Sequence, residues 1–158
     1  MEKKKYLNTR WDTLIVDKPY VFIPGNAPSS KNSKIKGRFF SKTVQNYLRS
    51  FGIQCFSSRK KEVKLYKTIP SKYKYPVEEL KELFKNVEYP IKVGLHFIRK
   101  TTHKADFINL CQLQFDLWTA FGIIPDDNMD FIIPICTILN KKFYTYDKDN
   151  PGIIVTIQ

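Results

Sequence analysis

The sequence predicts an α/β fold of the mixed α+β type, in which a small mixed β-sheet is flanked by helices. Several short stretches alternate apolar and polar residues with a period of two, as half-buried strands do. Other stretches place apolar residues three and four positions apart, as amphipathic helices do. A chain of 158 residues, 42% of them hydrophobic, is long enough for one core and short for two, so we expect a single domain over residues 1–158.

The first predicted elements are short strands at 13–16 and 20–23, separated by Lys18-Pro19. The loop at 24–34 is rich in Pro, Gly, Ser and Asn, which interrupt regular structure. A helix should follow, with Ser41 as its N-cap and Gly52 at its C-terminal end. The apolar residues of this helix recur at helical spacing and are Val44, Tyr47, Leu48 and Phe51.

Residues 57–75 form the most basic stretch of the chain. Cationic residues alternate there with apolar ones, which favours a two-stranded ribbon or a flexible arm over DNA. The alternative is a charged face that is simply solvated. Pro76 is expected to open a helix that covers the sheet, with Glu78 and Glu79 in its first turn.

Residues 91–98 alternate as a strand with one face in the core. Asp106 can then cap a helix over 107–121, which is apolar around most of its circumference and should be largely buried. A narrow polar stripe runs along this helix and consists of Asn109, Gln112, Asp116 and Thr119. Such a stripe needs partners, which structural hydrogen bonds, a subunit interface or a functional site could supply. We expect a functional site.

Gly122 should end this helix before a turn at Asp126-Asp127-Asn128. Residues 131–139 are predicted to form a strand, in which Pro134 indicates an edge or bulge position. Residues 152–157 should supply the last strand. The strand end at Arg99, the helix start at Asp106 and the loop at Asp126 can meet at one edge of the sheet, so we expect the carboxylates to cluster there.

Charge is distributed unevenly along the chain. Residues 1–105 contain 24 Lys and Arg against 8 Asp and Glu, whereas residues 106–158 contain 3 against 7. The formal net charge of +12 should attract a polyanion such as nucleic acid. The acidic second half supplies the hard oxygen ligands that a divalent cation needs. Phosphodiester chemistry would use both.

Cationic and amide side chains in two loops are candidates for phosphate contacts, which position a nucleic acid without reading its sequence. The alternative is a solvated basic surface. The predicted DNA-binding residues are Lys31, Asn32, Lys34, Lys36, Arg38, Lys100 and Lys104. His103, in the second of these loops, is expected to be an ordinary polar residue.

The three cysteines, Cys55, Cys111 and Cys136, form no CxxC pattern and are expected to be ordinary, mostly buried thiols. No apolar run approaches the roughly 18–20 residues of a membrane-spanning helix. The N-terminus leads into no apolar signal segment. We therefore expect a soluble, cytoplasmic protein with no membrane partner.

Four sequence features together resemble the RusA-like crossover-junction (Holliday junction) endonucleases. These are Pro28-Ser29-Ser30-Lys31-Asn32, then Asp106-Phe107-Ile108-Asn109, then Asp116, and finally Asp126-Asp127. About 25 residues match the family pattern well, and the rest of the chain matches loosely. Residues 56–90 look like a basic insertion relative to the family.

The resemblance implies a phage-type, homodimeric nuclease that uses Mg²⁺ or Mn²⁺ to cut branched double-stranded DNA such as a four-way junction. It implies catalytic roles for Asp106 and Asp127. It also implies metal ligation by Asp106 and Asp127. We expect Asp126 and Asn109 to complete the ligand set in this chain, with Asp116 and Gln112 supporting those ligands. Carboxylate oxygens would hold the ion, which activates a water and neutralises charge on the transition state.

Two positions depart from the family pattern. Ile108 stands where the family has a second Asp, and Gln112 stands where a Lys is common. The helical wheel predicts that Ile108 faces the core with Phe107 and Cys111, so it could not ligate a metal. The site would then carry less negative charge and bind metal more weakly, which predicts activity that needs millimolar Mg²⁺ or that appears more readily with Mn²⁺.

Two other functions remain open from the sequence. The protein could be a binding module that recognises branched DNA or a partner but does not cleave efficiently. It could also be a basic protein that binds RNA, single strands or another protein, with its aromatic residues as stacking platforms.

Overall fold

The computed structural model describes residues 5–8, 13–29, 34–35 and 39–158, and the side chains of residues 14–29 and 40–158. The strands are β1 (Lys5–Asn8), β2 (Thr13–Val16), β3 (Tyr20–Pro24), β4 (Lys34–Ile35), β5 (Phe39–Phe40), β6 (Ile53–Ser57), β7 (Glu62–Leu65), β8 (Ile91–Arg99), β9 (Ile132–Cys136), β10 (Tyr144–Tyr146) and β11 (Gly152–Ile157). The helices are α1 (Lys42–Ser50), α2 (Val77–Leu83) and α3 (Phe107–Ala120). The mixed α+β class is confirmed.

The main sheet is built around β8. On one side β8 pairs antiparallel with β11, which pairs antiparallel with β3. On the other side β8 pairs in parallel with β9 along its first half and with β10 along its last residues. The sheet is therefore mixed, as predicted. Pro134 lies in β9, whose paired neighbour among the described strands is β8, and this agrees with the predicted edge position.

The segment between β9 and β10 differs from its prediction. Residues 131–139 were expected to be one strand, but β9 ends at Cys136. The chain then reverses at Asn140 and Lys141, where φ is 49° and 63°. Two consecutive residues with positive φ make a tight reversal, and a single bridge pairs Leu139 with Lys142 across it. This reversal allows β10 to return to β8.

Both faces of β8 are covered, which corrects the prediction of one buried face. Val93, Leu95 and Phe97 point into the main core, which the helices cover. Ile98 points into a second, smaller core with Leu14. Leu14 and Val16 lie on β2, which pairs with β1 in a hairpin. Leu139 and Ile154 also belong to this second core. The alternating residue pattern did not predict this burial, because Gly94, His96 and Ile98 are buried on the second face.

His96 is satisfied inside this second layer. Its Nδ1 lies 2.8 Å from the carbonyl oxygen of Thr137, and its Nε2 lies 2.8 Å from Oγ1 of Thr145. A carbonyl can only accept, so Nδ1 carries the proton and Nε2 accepts from the Thr145 hydroxyl. Burial lowers the pKa of His96 below its usual value, although the Thr137 hydrogen bond partly opposes that shift. His96 is thus a neutral core residue.

The helix ends agree with the sequence signals. The Ser41 hydroxyl accepts the Val44 N–H at 3.3 Å, and α2 begins directly after Pro76. Gly52 and Gly122 follow α1 and α3 with φ of 73° and 72°. This left-handed conformation favours glycine and ends each helix.

Residues 56–90 are integrated into the fold. β6 and β7 form the predicted two-stranded ribbon, although it begins earlier, at Ile53. The stretch after the ribbon returns to the main core, where Tyr75, Leu80 and Phe84 are buried. Residues 75–84 thus contribute to the core, whereas the stretch from 56 to 74 is exposed or half-buried.

A polar network inside the core joins the ribbon's return segment to α1 and α3. The Tyr75 hydroxyl donates to Oε1 of Gln114 at 2.6 Å and accepts from Nε1 of Trp118 at 3.0 Å. The Gln114 amide donates to the Tyr47 hydroxyl at 2.9 Å. Burial raises the pKa of Tyr47 and Tyr75, so both phenols stay protonated. The network fixes the position of α3.

The cysteines only partly follow the prediction. Cys111 is buried and Cys136 is half-buried, whereas Cys55 is exposed on the ribbon. Burial raises the pKa of the Cys111 thiol to about 12, so that thiol is unreactive. Separately, none of the helices in the described residues combines the length and apolar character needed to cross a membrane.

Candidate functional site

Asp106 lies at the exposed start of α3. Its Oδ1 accepts the Ile108 N–H at 3.2 Å, so the carboxylate caps the helix as predicted. Its negative charge also complements the positive end of the helix. Capping is the role of Asp106 that the structure shows directly.

Ile108 corrects a prediction about this first turn. Its side chain is 56% exposed and does not face the core. Full burial along α3 begins at Leu110, and within the first turn Phe107 packs against Phe97 on the core side. The position that carries Asp in the family is therefore open to solvent, so core packing does not account for the isoleucine.

The polar stripe of α3 divides into two parts. Gln112 donates from its amide nitrogen to Oδ2 of Asp127 at 3.2 Å and lies 3.5 Å from Oδ1 of Asp116. The loop after α3 thus meets this helix at Gln112, whereas the sequence predicted a meeting at the helix start, Asp106. Thr119, at the other end of the stripe, is 3% exposed and donates to the Phe115 carbonyl, so it is structural.

The loop after α3 is ordered by its own acidic and amide groups. Oδ1 of Asp126 accepts the Asp127 N–H at 2.8 Å, and Oδ2 accepts from the Asn128 amide at 2.9 Å. The Asp127 N–H is the largest cause of the lowered pKa of Asp126, to which the Lys61 ammonium also contributes. Asp126 therefore holds the turn, and Asp127 is the loop carboxylate that faces α3.

The predicted metal ligands are only partly brought together. Asp106 and Gln112 are six residues apart on α3, which is a rise of about 9 Å, so Asp127 contacts the helix well beyond its start. Among the described residues, no three His, Cys, Asp or Glu side chains form a metal-binding group. The donor types nevertheless fit Mg²⁺, because one or two carboxylates with substrate phosphates and water form its usual shell.

An aromatic pocket of about 350 Å³ lies beside Asp106 and was not predicted. We define it by Phe97, Phe107, Phe143 and Tyr144 as its rings, with Arg99, His103 and Lys104 as its cationic and imidazole groups. The segment before α3 and the segment around β10 meet to form it. Arg99, His103 and Lys104 lie shortly before Asp106 in the sequence and were the available signal of this pocket. The rings of residues 143 and 144, however, come from a segment far away in the sequence.

A second concave surface, the basic groove, occupies about 470 Å³ and is lined by Lys72, Lys100 and Lys148. The Lys100 N–H donates to Oδ1 of Asn26 at 2.9 Å, which fixes the loop after β8 against the loop after β3. Thr43, Asn46 and Ser50 add hydroxyl and amide groups, and the lining also contains one carboxylate, that of Asp149, against the three lysines. This composition suits phosphate groups.

The predicted DNA-binding residues fall into three groups. Lys100 lines the basic groove and Lys104 lines the aromatic pocket. Lys34 belongs to β4, but its side chain lies outside the described set. Lys31, Asn32, Lys36 and Arg38 lie outside the described residues.

A third groove has a different character. It occupies about 800 Å³ beside α2 and is lined by Glu78, Glu79 and Glu82 with one cation, Lys18. Three carboxylates repel a phosphate backbone, so this groove is a poor candidate for nucleic acid.

Comparisons of the chain with known protein families, with curated proteins and with solved structures found no match.

Proposed function

We propose that the protein is a metal-dependent, structure-selective DNA endonuclease that cuts Holliday junctions or other branched DNA. The observation that carries the proposal is the contact between Gln112 and Asp127, which brings a loop carboxylate to the polar face of α3. Lys100 and Lys104, in the loop that leads to α3, line the basic groove and the aromatic pocket. Carboxylates next to cationic surfaces suit phosphodiester chemistry.

Asp106, Asn109 and Asp127 would hold Mg²⁺ together with phosphate oxygens of the DNA. The bound ion would activate a water and neutralise charge on the reacting phosphate. Because these side chains do not form a closed group without DNA, metal should bind weakly until the DNA contributes its phosphates. Lys100 and Lys148 would position the DNA backbone over the carboxylates.

Paired incision of a junction would require two copies of the chain. A four-way junction presents two symmetry-related scissile phosphates, and each chain offers one carboxylate site. A homodimer with a twofold axis satisfies this requirement. Such an enzyme would act in recombination, repair or phage DNA processing in the cytoplasm of a bacterial or phage-infected cell.

A second candidate is a branched-DNA binding module that cleaves poorly. The neutral Gln112 amide already uses one oxygen of Asp127, which supports this alternative. It predicts the same DNA affinity without cleavage at any metal concentration.

The test is cleavage of a synthetic four-way junction against Mg²⁺ and Mn²⁺ concentration, with binding measured in parallel. Asp127→Asn should retain binding and lose cleavage by roughly a hundredfold or more, as expected when a metal ligand is removed. Ile108→Asp adds a carboxylate at an exposed position and should lower the metal concentration needed. Ile108→Asn is its uncharged control.

Intact junction binding without cleavage, together with rescue by Ile108→Asp, would favour the binding module. If Asp127→Asn cleaved like the wild type, Asp127 would not be a ligand. A purely monomeric mass by light scattering, with and without a junction, would contradict the dimer. Preference for single strands or RNA over junctions at fixed salt would reject branched DNA as the substrate.

A further inference from the structure

The aromatic pocket has a closed apolar floor and an exposed aromatic rim. Phe97 and Leu110 line the floor and are 3% and 4% exposed. Phe143 and Tyr144 are 65% and 52% exposed at the rim. Its volume of about 350 Å³ lies within the range of small-molecule sites, which begins at about 300 Å³. Large exposed rings around a cavity favour a flat apolar ligand that can stack on them.

The pocket also has a cationic side, to which the Arg99 guanidinium contributes. Nε of Arg99 is itself buried without a hydrogen-bond partner in the described part of the protein, so it does not open onto the cavity, and the guanidinium acts on the cavity through its charge. An anionic oxygen is the group that such a charge favours. Lys104 and His103 line the same cavity and are exposed, so an anion entering from solvent would meet them as well.

We propose that the aromatic pocket holds one unpaired nucleotide of a DNA strand, with its base stacked on the rim rings and a phosphate at Arg99 and Lys104. A purely apolar ligand would leave the charges of Arg99 and Lys104 without a counter-charge, and inorganic phosphate would leave the rings unused. A nucleotide joins a flat face to an anion and uses both. Base stacking on aromatic side chains tolerates any sequence, because every base has a π-face.

The proposal rests on the proposed function and narrows its substrate. Ala105 and Phe107, the two neighbours of Asp106 in the chain, both line the pocket. A nucleotide held there would lie next to the candidate carboxylates. The preferred substrate would therefore be a branch that contains an unpaired nucleotide, and not a fully paired duplex.

The first experiment is a double-mutant cycle in EDTA, so that binding is separated from cleavage. The DNA ligand is a branched duplex with one unpaired nucleotide at the branch. In one version this nucleotide keeps its base, and in the other it is abasic. The wild type should bind the intact branch roughly tenfold more tightly than the abasic one, as expected for one stacked base. Phe143→Leu should remove that difference, whereas Phe143→Tyr, which keeps the ring, should retain it.

The second experiment reads the pocket directly through its own thiol. Cys136 lines the pocket, while Cys55 is exposed on the ribbon and serves as an internal control. Mass spectrometry should show that the unpaired-nucleotide branch slows alkylation of Cys136 and leaves that of Cys55 unchanged. Lys104→Ala should weaken the protection, and Lys85→Ala, just after α2, should not.

The outcomes separate this inference from the proposed function. Equal affinity for intact and abasic branches, with junction cleavage retained, would overturn the pocket assignment and leave the nuclease proposal standing. A different outcome is that a free nucleoside monophosphate protects Cys136 while intact and abasic branches bind equally well. That result would identify a free nucleotide as the ligand and overturn the assignment of a DNA strand. If the protein bound no branched DNA at all, the proposed function would be rejected. If, in addition, the monophosphate did not protect Cys136 from alkylation, the assignment of a nucleotide to the pocket would be rejected too.

Discussion

The amide nitrogen of Gln112 lies 3.2 Å from Oδ2 of Asp127 and joins α3 to the acidic loop that follows it. A neutral amide at this position satisfies one carboxylate oxygen without cancelling its charge. Asp116, 3.5 Å from the same nitrogen, adds a second carboxylate. Gln112 thus lies between two carboxylates. Whether the side chain at this position is neutral or charged therefore determines what this part of the surface can bind.

Replacing Gln112 by Glu should therefore create a cation site. Three carboxylates would then meet where an amide separates two, so the variant should unfold at a lower temperature than the wild type in EDTA. Ca²⁺ should reverse this and stabilise the variant by about 1 kcal/mol once its concentration exceeds the dissociation constant several-fold. Thermal unfolding with and without Ca²⁺ measures the effect. Gln112→Lys, which places a cation between the acids, should show no response to Ca²⁺.

The basic groove should contribute to DNA affinity through phosphate contacts alone. Lys100→Ala and Lys148→Ala should each weaken binding to all DNA sequences and reduce the slope of log affinity against log salt by about 0.9 per lost contact. The Lys100 main-chain bond to Asn26 survives this substitution, so the fold should be unaffected. Lys85→Ala, just after α2, is the control, because Lys85 pairs with Glu82 at 3.8 Å and lies outside the groove. An unchanged salt slope in both groove variants would exclude the groove from DNA binding.

His96 should make the folded state sensitive to mild acid. Its folded-state pKa lies below the ordinary value near 6.5, so the unfolded chain binds the proton first as pH falls. Stability should be constant well above pH 6.5 and decline below it, by at most about 1.4 kcal/mol per pH unit from this group. Denaturant unfolding between pH 5 and 8 tests this. His96→Gln should lose this component of the pH dependence, and His103→Gln, at the exposed pocket residue, should keep it.

The buried network around Tyr75 should contribute measurably to stability. Tyr75→Phe removes the hydroxyl that Gln114 and Trp118 share, which leaves two buried polar groups without that partner. The expected loss is about 1–3 kcal/mol in the free energy of unfolding. Tyr73→Phe, at a half-buried tyrosine outside the network, should cost much less. Equal losses in the two variants would show that the network adds nothing beyond packing.

The sequence by itself determined the elements whose signals are local. Ser41 and Asp106 cap α1 and α3 because their side chains accept main-chain N–H groups two or three residues away. Gly52 and Gly122 end those helices because the left-handed backbone that follows each helix favours glycine. The period of apolar residues located α1, α3 and β11 in the same way, since each pattern reflects geometry within one element.

Only the tertiary structure decided how these elements cover one another. The second face of β8 is buried because Leu14 and Val16 of β2 and Leu139 lie over it, and none of them is near β8 in sequence. Ile108 is exposed because, in the part of the chain that the structure describes, its side of the first turn of α3 is left uncovered, although its helical neighbours are apolar. The aromatic pocket exists because Phe143 and Tyr144 return beside Arg99 through the parallel pairing of β10 with β8. Burial and proximity depend on distant segments, whereas caps and periodicity depend on adjacent residues.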